Sequence, residues 1–287
     1  MKSIKENRVA SFITVTLVYS IAAAIGVFIF KTLNLDWWLS LLIADTAATV
    51  ATFIFSLIFK NASVYDPYWS VQPPVIVLAF AFDKNLTLLG VLLIAVISLW
   101  AIRLTVNWAY TFKNLCHQDW RYTMLSEKTG VFYPLINFIG IHMVPTLVVY
   151  GCVLPAVYAI REGLVENTLS IIFLALSLVA TTMQGTADIQ MHKFRKHRSG
   201  SFIRNGLWKY SRHPNYLGEI TMWWGVGLSV TAAAPSAWYL LLGALANTVL
   251  FLAVSIPMAD KRQSRKEGFS EYKKQTRMLL PIKRFRK

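Results

Sequence analysis

The sequence predicts an all-α fold, a polytopic integral membrane bundle of about 7–8 transmembrane helices, on three observations. Of its 287 residues 55% are hydrophobic, and apolar runs of the roughly 20 residues needed to cross a hydrocarbon core of about 30 Å recur along the chain. Inside those runs the polar residues do not repeat around the helix as they do in soluble amphipathic helices. The basic residues are also segregated. With the N-terminus inside, all 29 Lys and Arg except Lys31, Lys84, Arg161 and the intrahelical Arg103 fall on the cytoplasmic side, as the positive-inside rule requires.

The expected helices run over 10–30, 37–59, 68–82, 86–112, 132–159, 165–193, 215–232 and 235–258, followed by a basic tail. The first, Ala10 to Phe30, has no small-residue cleavage site before a polar mature chain, so it is expected to stay as a helix. The third is the weakest span, because Pro73 and Pro74 follow each other inside it and each removes a backbone donor. A re-entrant third segment would reduce the count to seven and move the N-terminus to the other side. The fourth carries Arg103 and Asn107, and a loop holding Asp119, Trp120 and Arg121 separates it from the fifth. The seventh begins at Pro214, which suits the first turn, where a missing N–H costs nothing. Neither an internal repeat nor a low-complexity linker interrupts the chain, which reads as one domain over 1–287 with a cofactor-type C-terminal region over about 186–287.

A net charge of +15 raises the question of nucleic acid. The charge lies between membrane runs and in the tail, where anionic lipid headgroups are its natural partner, so no nucleic acid is expected. Cys116 and Cys152 lack a CxxC pattern and the histidines lack zinc spacing, so no metal is expected either.

Four polar clusters interrupt the apolar pattern. VYDPYWSVQPP brings Tyr65, Asp66, Tyr68, Trp69 and Gln72 to a broken helix, as a membrane-interface aromatic belt or as the wall of a polar pocket with a proton donor. In WAIRLTVNWAY, Arg103 and Asn107 are four apart and share a helix face inside the membrane, where an arginine either snorkels or marks a functional site. Asp188, His192 and Arg195 line one side of a helix end, and the basic loop beyond it can supply a phosphate clamp or simple positive-inside charge. Finally, in SRHPNYLGEITMWWG, Asn215, Glu219 and Trp223 form a stripe of period four behind Arg212 and His213. The N–H groups and dipole at that helix start favour an anion. An unpaired buried Glu219 would cost several kcal/mol, so this stripe suits a long ligand with a charged half and a flat polar ring.

The blocks YDPYWSVQPP, IRLTVNWAY, QDWRY, SRHPNYLGE and EYKKQTRMLLP, spread over residues 65–281, resemble the steroid 5α-reductase-like membrane proteins, in particular their uncharacterised DPYWSV/RHPNYLGE branch. RHPxYxG alone is also similar to the sterol Δ14-reductases and the isoprenylcysteine methyltransferases. The resemblance implies NADPH in a buried, cytoplasm-facing cavity and a lipidic substrate entering between helices. By motif, Arg103, Asp188, Arg195, Asn215, Glu219 and Trp223 match cofactor-contacting positions, and Arg212 and His213 belong to the motif shared with the sterol reductases. Asn107, Arg121, Tyr216 and Lys261 complete the expected cofactor set. Where the steroid enzymes carry a Gln-Glu pair and a tyrosine, this chain has Tyr65 and Asp66, and Trp100. The expected catalytic residues are therefore Asp66, Tyr65 and Tyr68, with Trp69, Gln72 and Trp100 against substrate.

The resulting expectation is an NADPH-dependent reductase of a carbon–carbon double bond in a lipid or steroid-like enone, in a bacterial inner membrane. An S-adenosylmethionine-dependent methyltransferase of a lipidic substrate is the competing enzyme reading. A transporter or scaffold is the non-enzymatic one, but the chain shows none of the paired-half symmetry that transporters display.

Overall fold

The computed structural model describes residues 2–197 and 201–281; Arg198 and the last basic residues of the tail lie outside them. The principal helices are α1 (Arg8–Thr32), α2 (Trp37–Ile58), α3 (Tyr68–Ala81), α4 (Leu88–Thr111), α5 (Trp120–Thr129), α6 (Val144–Glu162), α7 (Thr168–His197), α8 (Pro214–Ala233), α9 (Leu242–Leu250), α10 (Ile256–Gln263) and α11 (Phe269–Gln275). Among the described residues six helical stretches are long and apolar enough to cross a membrane: Arg8–Thr32, Trp37–Ile58, Leu88–Thr111, Trp120–Glu162, Thr168–His197 and Pro235–Gln263. The protein is an integral membrane helical bundle. Outward apolar residues such as Ile13, Leu17, Val27 and Phe28 on α1 are where it meets lipid.

Two expected spans differ from that set. Helix α3 forms, but its 14 residues reach only about 21 Å at 1.5 Å per residue, less than the hydrocarbon thickness. Its two prolines leave the carbonyls of Trp69 and Ser70 without the usual i+4 donors. Helix α8 has 20 residues and Pro214 in its first turn, but Asn215, Glu219 and its glycines dilute its apolar character. The QDWRY segment also departs from the expected loop: Asp119 caps α5 by accepting from Arg121 N at 2.9 Å, the capping role in which aspartate excels.

The chain forms two compact units, one of residues 1–76 and 104–150, the other of residues 77–103 and 151–287. In the first, α1 and α2 pack through small residues, with Ala22, Ala48 and Ala51 buried beside Tyr65, Tyr68 and Tyr122. Segments 59–66 and 112–119 are tied together by polar bonds. Asn61 Nδ2 donates to Leu115 O at 2.7 Å, Ala62 N to Gln118 Oε1 at 2.9 Å and Asp119 N to Ser63 Oγ at 2.8 Å. The DPYW segment is thereby held as a rigid corner.

In the second unit α7 and α8 run against each other along their length. Gly218 and Gly225, two turns apart on α8, permit the contact: a Cβ at Gly218 would lie 2.8 Å from Ala180 O and overlap Gln184, and one at Gly225 would lie 2.7 Å from Phe173 O. Such small-residue stripes let membrane helices approach backbone to backbone. Ser177 Oγ then donates to Met222 O at 3.0 Å across the seam. The C-terminal segment is strapped to the loop before α8, where Arg212 N donates to Arg277 O at 3.0 Å.

Candidate functional site

Each unit contains a buried polar centre. In the second, Glu219 projects from α8 and is only 5% exposed. Three indole hydrogen bonds hold its carboxylate: Trp100 Nε1 donates to Oε1 at 3.0 Å and Oε2 at 2.9 Å, and Trp223 Nε1 donates to Oε1 at 3.0 Å. Arg103 completes the charge balance, its Nη1 donating to Asp188 Oδ2 at 2.8 Å and its Nη2 lying 3.5 Å from Glu219 Oε2. The arginine stem lies over Gly185, where an added Cβ would meet it at 3.7 Å, an ordinary van der Waals contact. One guanidinium is thus shared by two carboxylates, Asp188 more closely than Glu219, and supplies the counter-charge that buried ions need.

Beside this clasp Gln184 is fully buried, and neither its Oε1 nor its Nε2 has a hydrogen-bond partner. Arg103 Nε and Nη2 also lack hydrogen-bond partners. Farther along α7 the charge turns positive. Arg195 at the helix end and Arg262 on α10 crowd Lys266; burial, with these two charges, pushes the Lys266 ammonium below its usual range. Lys266 Nζ donates to Ser201 O at 2.5 Å.

The structure thus brings together Arg103, Asp188, Glu219, Trp223 and Trp100. Trp100 is expected at the substrate, yet here its N–H is committed to Glu219. Asn215 is half-buried on α8, four residues before Glu219, and Asn107 lies one turn beyond Arg103 on α4.

Arg212 and His213 are employed differently from the expected phosphate contacts. Arg212 Nη2 donates to Asp260 Oδ2 at 3.0 Å, its Nη1 donates to Thr276 O at 2.7 Å, and His213 Nε2 lies 3.0 Å from Asp260 Oδ1. Tyr216 stacks on the His213 ring at 5.2 Å. This buried triad fastens the C-terminal segment to the start of α8, and Arg212 is spent on it. Lys261 is exposed at a cleft of about 550 Å³ shared with Asp260, Lys273, Met278 and other residues. Arg121 is also removed from the expected cofactor set, since its Nε pairs with Asp119 at 2.7 Å on a half-exposed surface.

In the first unit the expected catalytic residues fall into two networks. Asp66 accepts from Tyr122 Oη at 2.6 Å. Burial pushes its carboxyl up to about 6, against the opposing pull of Arg121 and of the Tyr122 and Ser63 hydrogen bonds. Tyr68 and Gln72 instead serve a different acid, Asp45 on α2: Tyr68 Oη donates to Oδ1 at 3.4 Å and Gln72 Nε2 donates to Oδ2. Tyr65 shares a hydrogen bond of 2.8 Å with Thr146 Oγ1, which lies 3.0 Å from Thr49 Oγ1. The Tyr65 ring touches His142 at 4.6 Å and Tyr68 at 5.3 Å. Trp69 packs, partly buried, against this aromatic cluster.

Asp45, His142, Thr146 and Gln184 belong to these centres although no sequence block marks them. Asp45 and His142 carry the same signal as Arg103, an ionisable side chain inside an apolar run.

The family described as "Protein of unknown function (DUF1295)" matches residues 52–276. An uncharacterised protein of Schizosaccharomyces pombe is 26% identical over 194 residues, with 57% of this chain and 56% of the relative covered. The match therefore spans little more than half of that relative. No solved structure matches.

Proposed function

We propose a function on a plain premise, that the chain belongs to the DUF1295 family. It is an NADPH-dependent reductase that saturates a carbon–carbon double bond in a lipid or steroid-like enone, akin to the steroid 5α-reductases that its sequence blocks resemble. The observation that carries this reading is the set of open polar groups in the second unit. Gln184 offers an unpaired amide beside the Arg103–Glu219 clasp, and Arg195 and Arg262 lie close enough to Lys266 for the three cations to act on one another.

From Gln184 to Arg195 is 11 residues of continuous helix, or about 16 Å at 1.5 Å per residue. A dinucleotide has that reach, with a carboxamide ring at one end and phosphates farther along. Arg103, Gln184 and the Glu219-bound indoles would hold the ring, and Arg195, Arg262 and Lys266 the phosphates, where guanidinium forks bind best. NADPH, when bound, supplies the hydride.

The chain's own residues do the rest. Glu219 fixes both indoles and keeps water from the ring site, since two indole N–H groups making three contacts, with Arg103 beside them, leave the carboxylate little capacity for solvent. In the first unit the Tyr65 and Tyr68 hydroxyls are bonded to Thr146 and Asp45, and polarising a carbonyl oxygen would require them to exchange those partners. Asp66, with a carboxyl titrating near 6, retains a proton close to neutrality and serves as general acid. In this reading the cofactor side and the C-terminus face the cytoplasm, which the basic loops favour, and the membrane is a bacterial inner one.

The test is titration of the purified full-length protein in detergent with NADPH and with S-adenosylmethionine. NADPH binds, the methyl donor does not, and Gln184→Leu weakens NADPH by about tenfold or more, worth 1.4 kcal/mol, at unchanged thermal stability. Binding of S-adenosylmethionine in place of NADPH overturns the reading in favour of a methyltransferase.

A further inference from the structure

The first unit contains a group of buried hydrogen-bond acceptors that no proposed step uses. Residues Asn137–Met143 form a π-helical stretch, a local widening that often accompanies function. One residue inserted into a helix of 3.6 residues per turn rotates the following side chains by about 100°. Asn137, Ile141 and His142 are all buried in this stretch.

His142 is fully buried, and its Nδ1 lies 3.0 Å from Asn137 O. A carbonyl oxygen can only accept, so Nδ1 carries the proton and Nε2 presents a bare lone pair in the neutral ring. Nε2 has no hydrogen-bond partner. Asn137 Nδ2 donates to Ser56 Oγ at 3.3 Å, which leaves Asn137 Oδ1 open. Gln72 Nε2 donates to Asp45, which leaves Gln72 Oε1 open as well.

Two neighbouring donors are already engaged. Tyr68 Oη donates to Asp45 and the Tyr65 hydroxyl is bonded to Thr146. Buried acceptors are ordinarily paired, and the excess here is on the accepting side. A ligand carbonyl adds another acceptor, whereas a ligand O–H supplies the one donor that the bare His142 Nε2 needs. A metal ion does not fit, because among the described residues no three His, Cys, Asp or Glu side chains converge. The surroundings of His142 are aromatic, with Phe53 at 5.4 Å and Tyr65 at 4.6 Å, and suit an apolar body.

We infer that this π-turn is a ligand site for a membrane-soluble alcohol, whose hydroxyl donates to His142 Nε2. The inference rests on the first unit alone and holds whether or not the second binds NADPH.

Its test uses full-length protein in detergent, tritiated farnesol, and the methyl ether of farnesol, whose oxygen only accepts. Wild-type protein binds the alcohol about tenfold or more tighter than the ether, a difference of 1.4 kcal/mol. With ¹⁵N-labelled histidine, the alcohol but not the ether shifts the Nε2 resonance that is missing from His142→Phe. His142→Phe abolishes the alcohol preference. His142→Gln, whose amide oxygen can still accept, retains only part of it, and so keeps the inference testable should the first variant misfold. Equal binding of the two probes, binding of neither, or an undiminished preference in both variants overturns it. A resident water satisfying Nε2 would show itself as equal binding.

Discussion

The two units solve the same problem, polar chemistry inside a membrane protein, with opposite inventories. In the second, the buried atoms without hydrogen-bond partners are mainly donors: Arg103 Nε and Nη2, Arg212 Nε, Arg277 Nε, Asn247 Nδ2 and Gln184 Nε2. In the first, Gln72 Oε1, Asn137 Oδ1 and His142 Nε2 are acceptors, and Tyr133 Oη is the exception that can play either part. The carboxylates differ in the same sense. Glu219 has an arginine and three indole hydrogen bonds, whereas Asp45 is bonded by a phenol and an amide, with no ion pair among the described residues. A donor-rich interior is prepared for an anionic or carbonyl-bearing ligand, and an acceptor-rich one for a hydroxyl.

The sharpest way to break this contrast is to turn each carboxylate into its amide. Glu219→Gln leaves Arg103 partly unpaired in a buried site and forces an amide NH₂ towards indole donors, so it should cost about 3–5 kcal/mol. Asp45→Asn removes no cation's partner and retains one acceptor oxygen; it should cost about 1 kcal/mol or less. Thermal or denaturant unfolding of the two variants in the same detergent checks this, and equal losses would erase the distinction.

Packing makes a second test. A methyl added at Gly218 meets Ala180 O at 2.8 Å, while one at Gly26 on α1 finds Ala44 O at 3.5 Å and Ala48 Cβ at 3.6 Å. Gly218→Ala should therefore destabilise by about 1–3 kcal/mol through overpacking. Gly26→Ala should be neutral or gain about 0.4–1 kcal/mol by restricting the unfolded chain. Unfolding midpoints of both variants, compared with wild type, decide between them.

Much of the second unit's centre was legible because its logic is local. Asn215, Glu219 and Trp223 repeat every four residues, and the helix does bond Glu219 to Trp223. An arginine inside an apolar run demands a counter-charge wherever the chain folds, which is why Arg103 stands out before its partners are known. The partners themselves were not legible. Trp100 reaches Glu219 across 119 positions, and Asp260 captures Arg212 across 48, so the RHP block reads as a phosphate clamp until the acid is seen beside it. In the first unit the chemistry depends on helix phase. Nothing in INFIGIHMVP announces a π-turn, and although a spacing of four puts His142 and Thr146 on one helix face, it does not say that Tyr65 meets them there. The DPYWSV block was visible as polar, but its division between Asp66 and Asp45 depends on a residue from another helix.

A pH profile sharpens the contrast within the first unit itself. Burial raises the Asp66 carboxyl from 3.8 unfolded to about 6 folded, so the folded protein binds this proton more tightly than the unfolded chain does. Between about pH 4 and 6 its contribution must therefore fall as pH rises, and above 6 it is flat. Two pH units would correspond to about 3 kcal/mol; partial exposure reduces the expectation to about 1–2 kcal/mol. Asp66→Asn should remove that slope between pH 4 and 6, as followed by unfolding across the range, and a slope that survives would assign it to another acid.

The smallest effect separates charge from fit in the second unit. Arg195 is exposed at the end of α7, where a single phosphate contact is worth about 1 kcal/mol in screened solvent. Arg195→Ala should weaken NADPH about fivefold, and the loss should shrink as salt is raised from 50 to 500 mM, because the Debye length contracts from beyond 10 Å to a few ångströms. Gln184→Leu acts through a neutral amide, and its loss should be the same at both salts. If both variants respond equally to salt, the ring end and the phosphate end are not distinct, and the donor-rich centre is a general anion trap instead of a dinucleotide site.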